Sequence, residues 1–135
     1  MSLPPAVVAV YHHVSLTVTD LERSMRWYEQ VLGVRKVADR TGEGWVRSVM
    51  RSDGGLTVGL TVHEGGPAGG GFDHRRVGLD HVAIACTGAD GVRAWVAHLD
   101  ALGVVHGPIE EPGYATVVTA RDPDGIAVEF FAPAP

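Results

Sequence analysis

A single cysteine, Cys86, stands among the 135 residues of this chain. One cysteine excludes an internal disulfide framework and is typical of a reducing compartment, so we expect a cytoplasmic protein. Long apolar runs are also missing, since the run over 6–11 is far too short to cross a bilayer. No basic segment precedes a longer apolar stretch, so the sequence predicts neither a signal peptide nor a membrane partner.

Positive charge is scarce as well. The chain has 11 Lys and Arg against 16 Asp and Glu, which gives a formal net charge of −5, and the basic residues are scattered. Nucleic-acid binding requires a basic patch, so no nucleic-acid partner is predicted. The remaining composition, with 45% hydrophobic residues, suits one globular domain over 1–135.

The two halves of the chain repeat each other. Residues 11–18 align with residues 79–86, and this alignment places His13 on His81. After a shift of two residues the match continues in order, with 32–34 on 102–104, 51–55 on 121–125 and 58–60 on 128–130. Ordered matches with one shift indicate a duplicated module.

The first copy reads as a strand, a helix and three further strands. A strand is predicted over 11–18 from its alternation of apolar and polar residues. A helix is predicted over 21–32, with Asp20 as its N-cap and Gly33 as its C-terminal stop.

The second copy follows the same pattern, with a strand over 79–86 and a helix over 89–102. We therefore expect a first module over 8–63, a Gly-rich linker over 64–78 and a second module over 79–132. The predicted fold is α+β (α/β): two tandem βαβββ modules form a curved mixed sheet around a cleft, with the helices on the outer face.

Alternation along the strands separates a polar from an apolar face. His13 and Ser15 share one face of the first strand, and large apolar residues occupy the other. His81 and Glu129 fall on the corresponding face of the second module. The apolar face is suited to packing on the helices, so the polar face is predicted to line the cleft.

Three potential metal ligands therefore share the predicted cleft face: His13, His81 and Glu129. Two imidazoles and one carboxylate suit a divalent metal ion such as Fe, Mn, Ni, Co or Zn, and leave positions for water and substrate. Each histidine alone is better explained as an ordinary hydrogen-bonded sheet residue. Their repeat-related positions favour a metal site.

Three stretches carry a resemblance that spans nearly the whole chain: HVSLTVTDLERSMRWYEQVLG from His13, LDHVAIA from Leu79 and DPDGIAVEF from Asp122. They resemble the vicinal oxygen chelate superfamily, also called the glyoxalase/bleomycin resistance/dioxygenase proteins. The resemblance implies paired βαβββ modules around a divalent metal ion. It also implies that His13, His81 and Glu129 are ligands and that Gly59 stands at the position of a fourth.

The resemblance implies a divalent-metal-dependent enzyme whose small substrate chelates the metal through vicinal oxygens, as a dioxygenase, a lyase or isomerase, or a transferase. Gly59 has no side chain, so the fourth ligand of glyoxalase I-like enzymes is missing. The remaining set is similar to that of extradiol dioxygenases and fosfomycin-resistance thiol transferases. The fosfomycin-resistance proteins have a hydroxyl where Ser15 stands. The alternative is a metal-free protein of the bleomycin-resistance type that sequesters its ligand.

Further candidates surround this set. Glu129, Ser15 and Tyr114 are the predicted catalytic residues, and Tyr114 also offers a phenol for substrate binding. The predicted substrate contacts are His63 at the cleft mouth and Trp45 and Phe72 as an aromatic pocket, although core packing or a dimer contact explains the two aromatic residues as well.

Assembly is predicted from the resemblance together with the linker. Superfamily proteins of this length are usually homodimers, and their modules pair either within one chain or across two. A Gly-rich linker over 64–78 permits both arrangements. We favour the exchanged dimer, in which His13 of one chain meets His81 and Glu129 of the other.

Overall fold

The computed structural model describes Pro4, Pro5 and residues 7–135. The elements follow one another in the order β1 (Val14–Thr17), α1 (Leu21–Leu32), β2 (Arg35–Gly42), β3 (Trp45–Arg51), β4 (Thr57–His63), β5 (Val82–Ala85), α2 (Gly88–Ala101), β6 (Ala115–Arg121) and β7 (Ala127–Pro133). No helix in these described residues is long and apolar enough to cross a membrane.

The predicted mixed α+β fold of tandem modules is confirmed. The first module forms a four-stranded sheet of order β1-β4-β3-β2, and the second forms a three-stranded sheet of order β5-β7-β6. In both modules the first strand runs parallel to the last, and the other pairs are antiparallel. No strand pairing joins the two sheets in the described residues, so one chain carries two separate sheets where a single curved sheet was predicted.

The second module lacks a continuous counterpart of β2. The segment between α2 and β6 pairs with β6 through two isolated bridges, His106 to Ala120 and Glu110 to Val117. The segment contains Pro108, and proline has no N–H to donate to a strand ladder. The first of the three strands predicted after the second helix is therefore reduced to two bridges.

The first strand of each module is shorter than predicted. β1 covers 14–17 where 11–18 was predicted, and β5 covers 82–85 where 79–86 was predicted. β1 cannot extend much further toward the N-terminus because its partner strand starts there. Val14 pairs with Val58, and β4 begins only one residue before Val58. The histidines of both predicted strands consequently lie in the extended chain just ahead of β1 and β5.

Both helices form close to their predicted bounds. The Asp20 side chain accepts a hydrogen bond from the Arg23 backbone N–H at 3.0 Å, as an N-cap does. Gly33 ends α1 at φ +66°, a left-handed conformation that favours glycine, and its N–H bonds to the Glu29 carbonyl. α2 begins and ends one residue earlier than predicted.

The core lies between each sheet and its helix. The apolar face of the first sheet is buried at Leu16, Val58 and Leu60, and Phe130 is buried at the matching place in the second. The opposite faces carry the small and polar residues, as the alternation predicts.

Within one chain the modules meet through α1. The buried Tyr28 hydroxyl donates to Asp122 Oδ2 at 2.9 Å, and Asp122 lies in the turn between β6 and β7. Thr19 N donates to Asp124 Oδ2 at 3.1 Å, and His98 Nε2 of α2 lies 3.0 Å from the Gln30 carbonyl. The Tyr28 and His98 contacts join the two modules on the helical side, whereas Thr19 and Asp124 also line a cavity with Thr17 and His63.

Candidate metal centre

Two of the three predicted ligands lie side by side. Ala83 is the register partner of Glu129, and His81 precedes it by two residues, so the parallel pairing of β5 and β7 places both side chains on one face. His81 Nε2 lies 3.3 Å from Glu129 Oε2. The side chains are 41% and 22% exposed, so both are reachable from solvent.

Asp80 holds the imidazole of His81 in place. The Nδ1–H of His81 donates to Asp80 Oδ1 at 2.6 Å, because an ionised carboxylate only accepts. This hydrogen bond lowers the pKa of the Asp80 carboxyl. With Nδ1 bonded to Asp80, Nε2 is the ring nitrogen that faces Glu129. Histidines that bind metals are commonly oriented in this way, by a carboxylate on the other ring nitrogen. Asp80 was not predicted, although an acidic residue directly before a candidate ligand was a visible signal.

The donor set at this place suits a divalent ion. Metal–ligand bonds of about 2.0–2.2 Å bring adjacent nitrogen and oxygen ligands to about 3 Å from each other. The observed separation of 3.3 Å between His81 Nε2 and Glu129 Oε2 is close to that spacing.

His13 does not join this pair within the chain. It precedes β1 in the other sheet, and its Nδ1 lies 2.8 Å from Nδ1 of His12. Among the residues that the structure describes, no three His, Cys, Asp or Glu side chains come close enough to hold one ion. The separation follows from the contacts through α1, which join the two modules without bringing these residues together.

The position that the resemblance assigns to a fourth ligand, Gly59, is crowded by neighbouring side chains. Gly59 is the register partner of Ser15, and a Cβ at Gly59 would lie 2.8 Å from Ser15 Oγ and 3.0 Å from Arg47 Cδ. Ser15 Oγ in turn lies 3.1 Å from Thr61 Oγ1. Glycine at this position therefore lets Ser15 and Arg47 approach across β4.

Arg47 is a site residue that the sequence reasoning missed. Its Nε–H donates to Thr61 Oγ1 at 2.7 Å, and its Cζ lies 4.7 Å from the centroid of the Trp45 ring. Trp45, a predicted substrate contact, thus carries a stacked guanidinium. Alternation along β3 places Trp45 and Arg47 on one face, and this signal was available in the sequence.

The other predicted substrate residues fall in two places. His63 and Phe72 line a cavity of about 600 Å³ beneath the Gly-rich segment, together with Thr17. Tyr114 is 69% exposed, and its ring centroid lies 6.5 Å from that of Phe131, two residues beyond Glu129 on the same face. The structure therefore places Tyr114 on the Glu129 side and the other candidates on the Ser15 side.

Comparison with known proteins identifies the family. The family model of the Glyoxalase/Bleomycin resistance protein/Dioxygenase superfamily matches residues 10–130. The chain belongs to this superfamily.

Three similar proteins differ in what they are described to do. A lactoylglutathione lyase from Haemophilus influenzae is 31% identical over 132 residues, with 87% of this chain and 88% of the relative covered. The glyoxylase/bleomycin resistance protein/dioxygenase domain from Frankia sp. EAN1pec superposes with a TM-score of 0.84 at 30% identity, covering 95% and 94% of the two chains. The fosfomycin resistance protein FosX from Listeria monocytogenes, complexed with Mn(II) and sulfate, shares the fold with a TM-score of 0.66 at 18% identity, covering 95% of each chain.

Proposed function

We propose that this protein is a divalent-metal-dependent enzyme, of dioxygenase, lyase or isomerase, or transferase type, acting on a small substrate that chelates the metal through vicinal oxygens. His13, His81 and Glu129 hold the metal. The observation that carries the proposal is the pairing of His81 Nε2 with Glu129 Oε2 at 3.3 Å, with Asp80 fixing the ring. The lyase relative and the Mn(II) complex of FosX support it.

We further propose that each site is shared between two copies of the chain in a homodimer. Within one chain His81 and Glu129 are paired and His13 is separate, while contacts such as Tyr28 to Asp122 occupy the helical side of both modules. The polar sheet faces remain available to a second copy, which would supply the missing histidine. The Gly-rich linker over 64–78 would join the two modules of each chain in this arrangement.

When bound, the metal supplies Lewis-acid catalysis, which polarises the substrate oxygens and stabilises developing negative charge on them. Glu129 contributes the carboxylate ligand. Ser15, positioned by Thr61, offers a hydroxyl two residues beyond His13 in the chain, and Tyr114 offers an exposed phenol for substrate binding or proton transfer. The single cysteine is consistent with a cytoplasmic enzyme.

Metal analysis tests this proposal directly. Protein purified without chelator is expected to contain a stoichiometric divalent metal of the Fe, Mn, Ni, Co or Zn group, and His81→Ala is expected to lose it. His106→Ala, which removes a histidine that bonds to Asp100 within the second module, is the matched control and is expected to retain the metal. Equal and negligible metal in wild type and His81→Ala would contradict the metalloenzyme proposal.

A second candidate is a metal-free ligand-binding protein of the bleomycin-resistance type. The crowded position at Gly59 favours it, because the ligand position that the resemblance assigns there carries no donor. Titration of a ligand library with and without EDTA separates the two candidates. Ligand binding that is indifferent to EDTA supports sequestration, whereas binding that EDTA abolishes supports the metalloenzyme.

A further inference from the structure

The guanidinium of Arg47 is fixed from two sides. Its Nε–H donates to Thr61 Oγ1 at 2.7 Å, and its Cζ stacks 4.7 Å from the Trp45 ring centroid. Thr61 is itself buried and bonded to Ser15. The two terminal Nη groups have no hydrogen-bond acceptor and no ion-pair partner among the described residues. The planar guanidinium is thus held in place, while its two Nη groups remain free to donate to a ligand.

Two glycines make this arrangement sterically possible. A Cβ at Gly59 would lie 3.0 Å from Arg47 Cδ, and a Cβ at Gly42 would lie 2.3 Å from the Trp45 indole. A side chain at either position would therefore push the arginine or the aromatic ring out of this arrangement. Such close packing restricts the side-chain rotamers, which reduces the entropy lost on binding a ligand.

On the described strands, the face that carries Arg47 has no carboxylate; Glu64, which follows β4, lines a cavity with Trp45 but makes no ion pair with Arg47. The cleft-facing positions of β1, β3 and β4 are occupied by Ser, Thr, Trp, Arg, Val, Gly and His residues, and the neighbouring position on β2 is Arg40. Asp39 lies on the opposite face, where it accepts a hydrogen bond from the buried Ser48. The positive charge of Arg47 is consequently directed toward whatever binds on this face.

We propose that Arg47 recognises a negatively charged oxyanion group of the ligand, either a planar carboxylate or a tetrahedral phosphonate or phosphate. Both groups match a guanidinium fork through paired, charge-assisted hydrogen bonds. The inference deepens the proposed function and rests on it in one respect only, namely that the ligand is the substrate. It places an anionic group of that substrate on the Ser15 side of the site.

The test uses metal-free protein, dialysed free of chelator because EDTA is itself a polycarboxylate. Acetate and methylphosphonate are titrated separately at fixed ionic strength, and proton–nitrogen NMR follows the Arg47 Nε–H and the Trp45 indole N–H. We expect saturable shifts for at least one probe, and the probe with the higher affinity identifies the class of anion. Arg47→Gln, which can still bond to Thr61, is expected to weaken binding about tenfold or more.

Arg26→Gln is the matched control, because Arg26 lies exposed on α1 and its loss changes the net charge equally. It is expected to bind both probes as wild type does. Equal affinity of wild type and Arg47→Gln, or no saturable shift with either probe, would overturn the inference. A weakened dimer with unchanged anion affinity would also overturn it, because Arg47 would then pair with a carboxylate of a second copy.

Metal content distinguishes this inference from the proposed function. Arg47→Gln is expected to load metal as wild type does. A wild-type protein that binds no metal but requires Arg47 for anion binding would contradict the metalloenzyme proposal and leave the anion site standing.

Discussion

Replacing Tyr28 by phenylalanine probes the contact that holds the two modules of one chain together. The Tyr28 side chain is almost fully buried, and its hydroxyl donates to Asp122 Oδ2 at 2.9 Å. Asp122 Oδ1 also accepts the backbone N–H groups of Asp124 and Ile126. Loss of one hydrogen bond to a buried carboxylate is expected to lower the free energy of unfolding by about 2 kcal/mol at pH 8.

The pH dependence of this effect follows from the pKa of the phenol. Burial, reinforced by the nearby Asp122 carboxylate, raises the pKa of Tyr28 far above its usual value of 10.0. The unfolded chain therefore ionises this phenol above pH 10 while the folded chain keeps it protonated. The corresponding stabilisation is fully present below pH 10 and is lost as the pH rises further. At pH 11 the loss amounts to about 1.4 kcal/mol.

Urea unfolding at pH 8 and pH 11 measures both effects at one protein concentration. The difference in the free energy of unfolding between wild type and Tyr28→Phe is expected to shrink from about 2 kcal/mol at pH 8 to about 0.6 kcal/mol at pH 11. Tyr114→Phe is the control, since this hydroxyl is exposed and its removal should change stability by less than about 0.5 kcal/mol. A difference for Tyr28→Phe that is equally small, or that is the same at both pH values, would refute the reasoning.

Three further substitutions test the local structure. Gly59→Ala is expected to lower the free energy of unfolding by about 1–3 kcal/mol through overpacking, measured in the same urea assay. Gly71→Ala is the control and is expected to have little effect, because a Cβ at Gly71 meets nothing within 4 Å. Asp80→Ala, which removes the acceptor of the His81 Nδ1–H bond, is expected to weaken metal affinity about 10–100-fold, which competition with a metal-binding dye measures; unchanged affinity would contradict the orienting role. Asp20→Ala is expected to cost about 1 kcal/mol through loss of the N-cap of α1, and thermal unfolding checks it; an unchanged midpoint would contradict the cap.

The features that could be predicted from the sequence are mostly local. The bounds of α1 depend on Asp20 and Gly33, which lie next to the helix that they cap, and the duplicated module is visible as a repeat. The pairing of His81 with Glu129 follows from parallel register once both strands are recognised. In each case neighbouring residues or the period of a strand carry the information.

The features that could not be predicted depend on distant contacts. The placement of the modules depends on Tyr28 and Asp122, which are far apart in the chain and gave no common signal. Asp122 was named in the sequence analysis only as the start of a resembling stretch, and its buried carboxylate proves to join the modules. Arg47 was missed for a different reason, because alternation was followed on the first and last strands of the modules and not on β3.

The most direct test of the central claim, a metal site shared by two chains, is a mixing experiment. His13→Ala and Glu129→Ala proteins are each expected to bind metal poorly, because each dimer has two damaged sites. After subunit exchange, verified by mass-tagged chains, the mixed dimer should regain one intact site, measured as recovered high-affinity metal binding. No recovery after verified exchange would contradict the shared site.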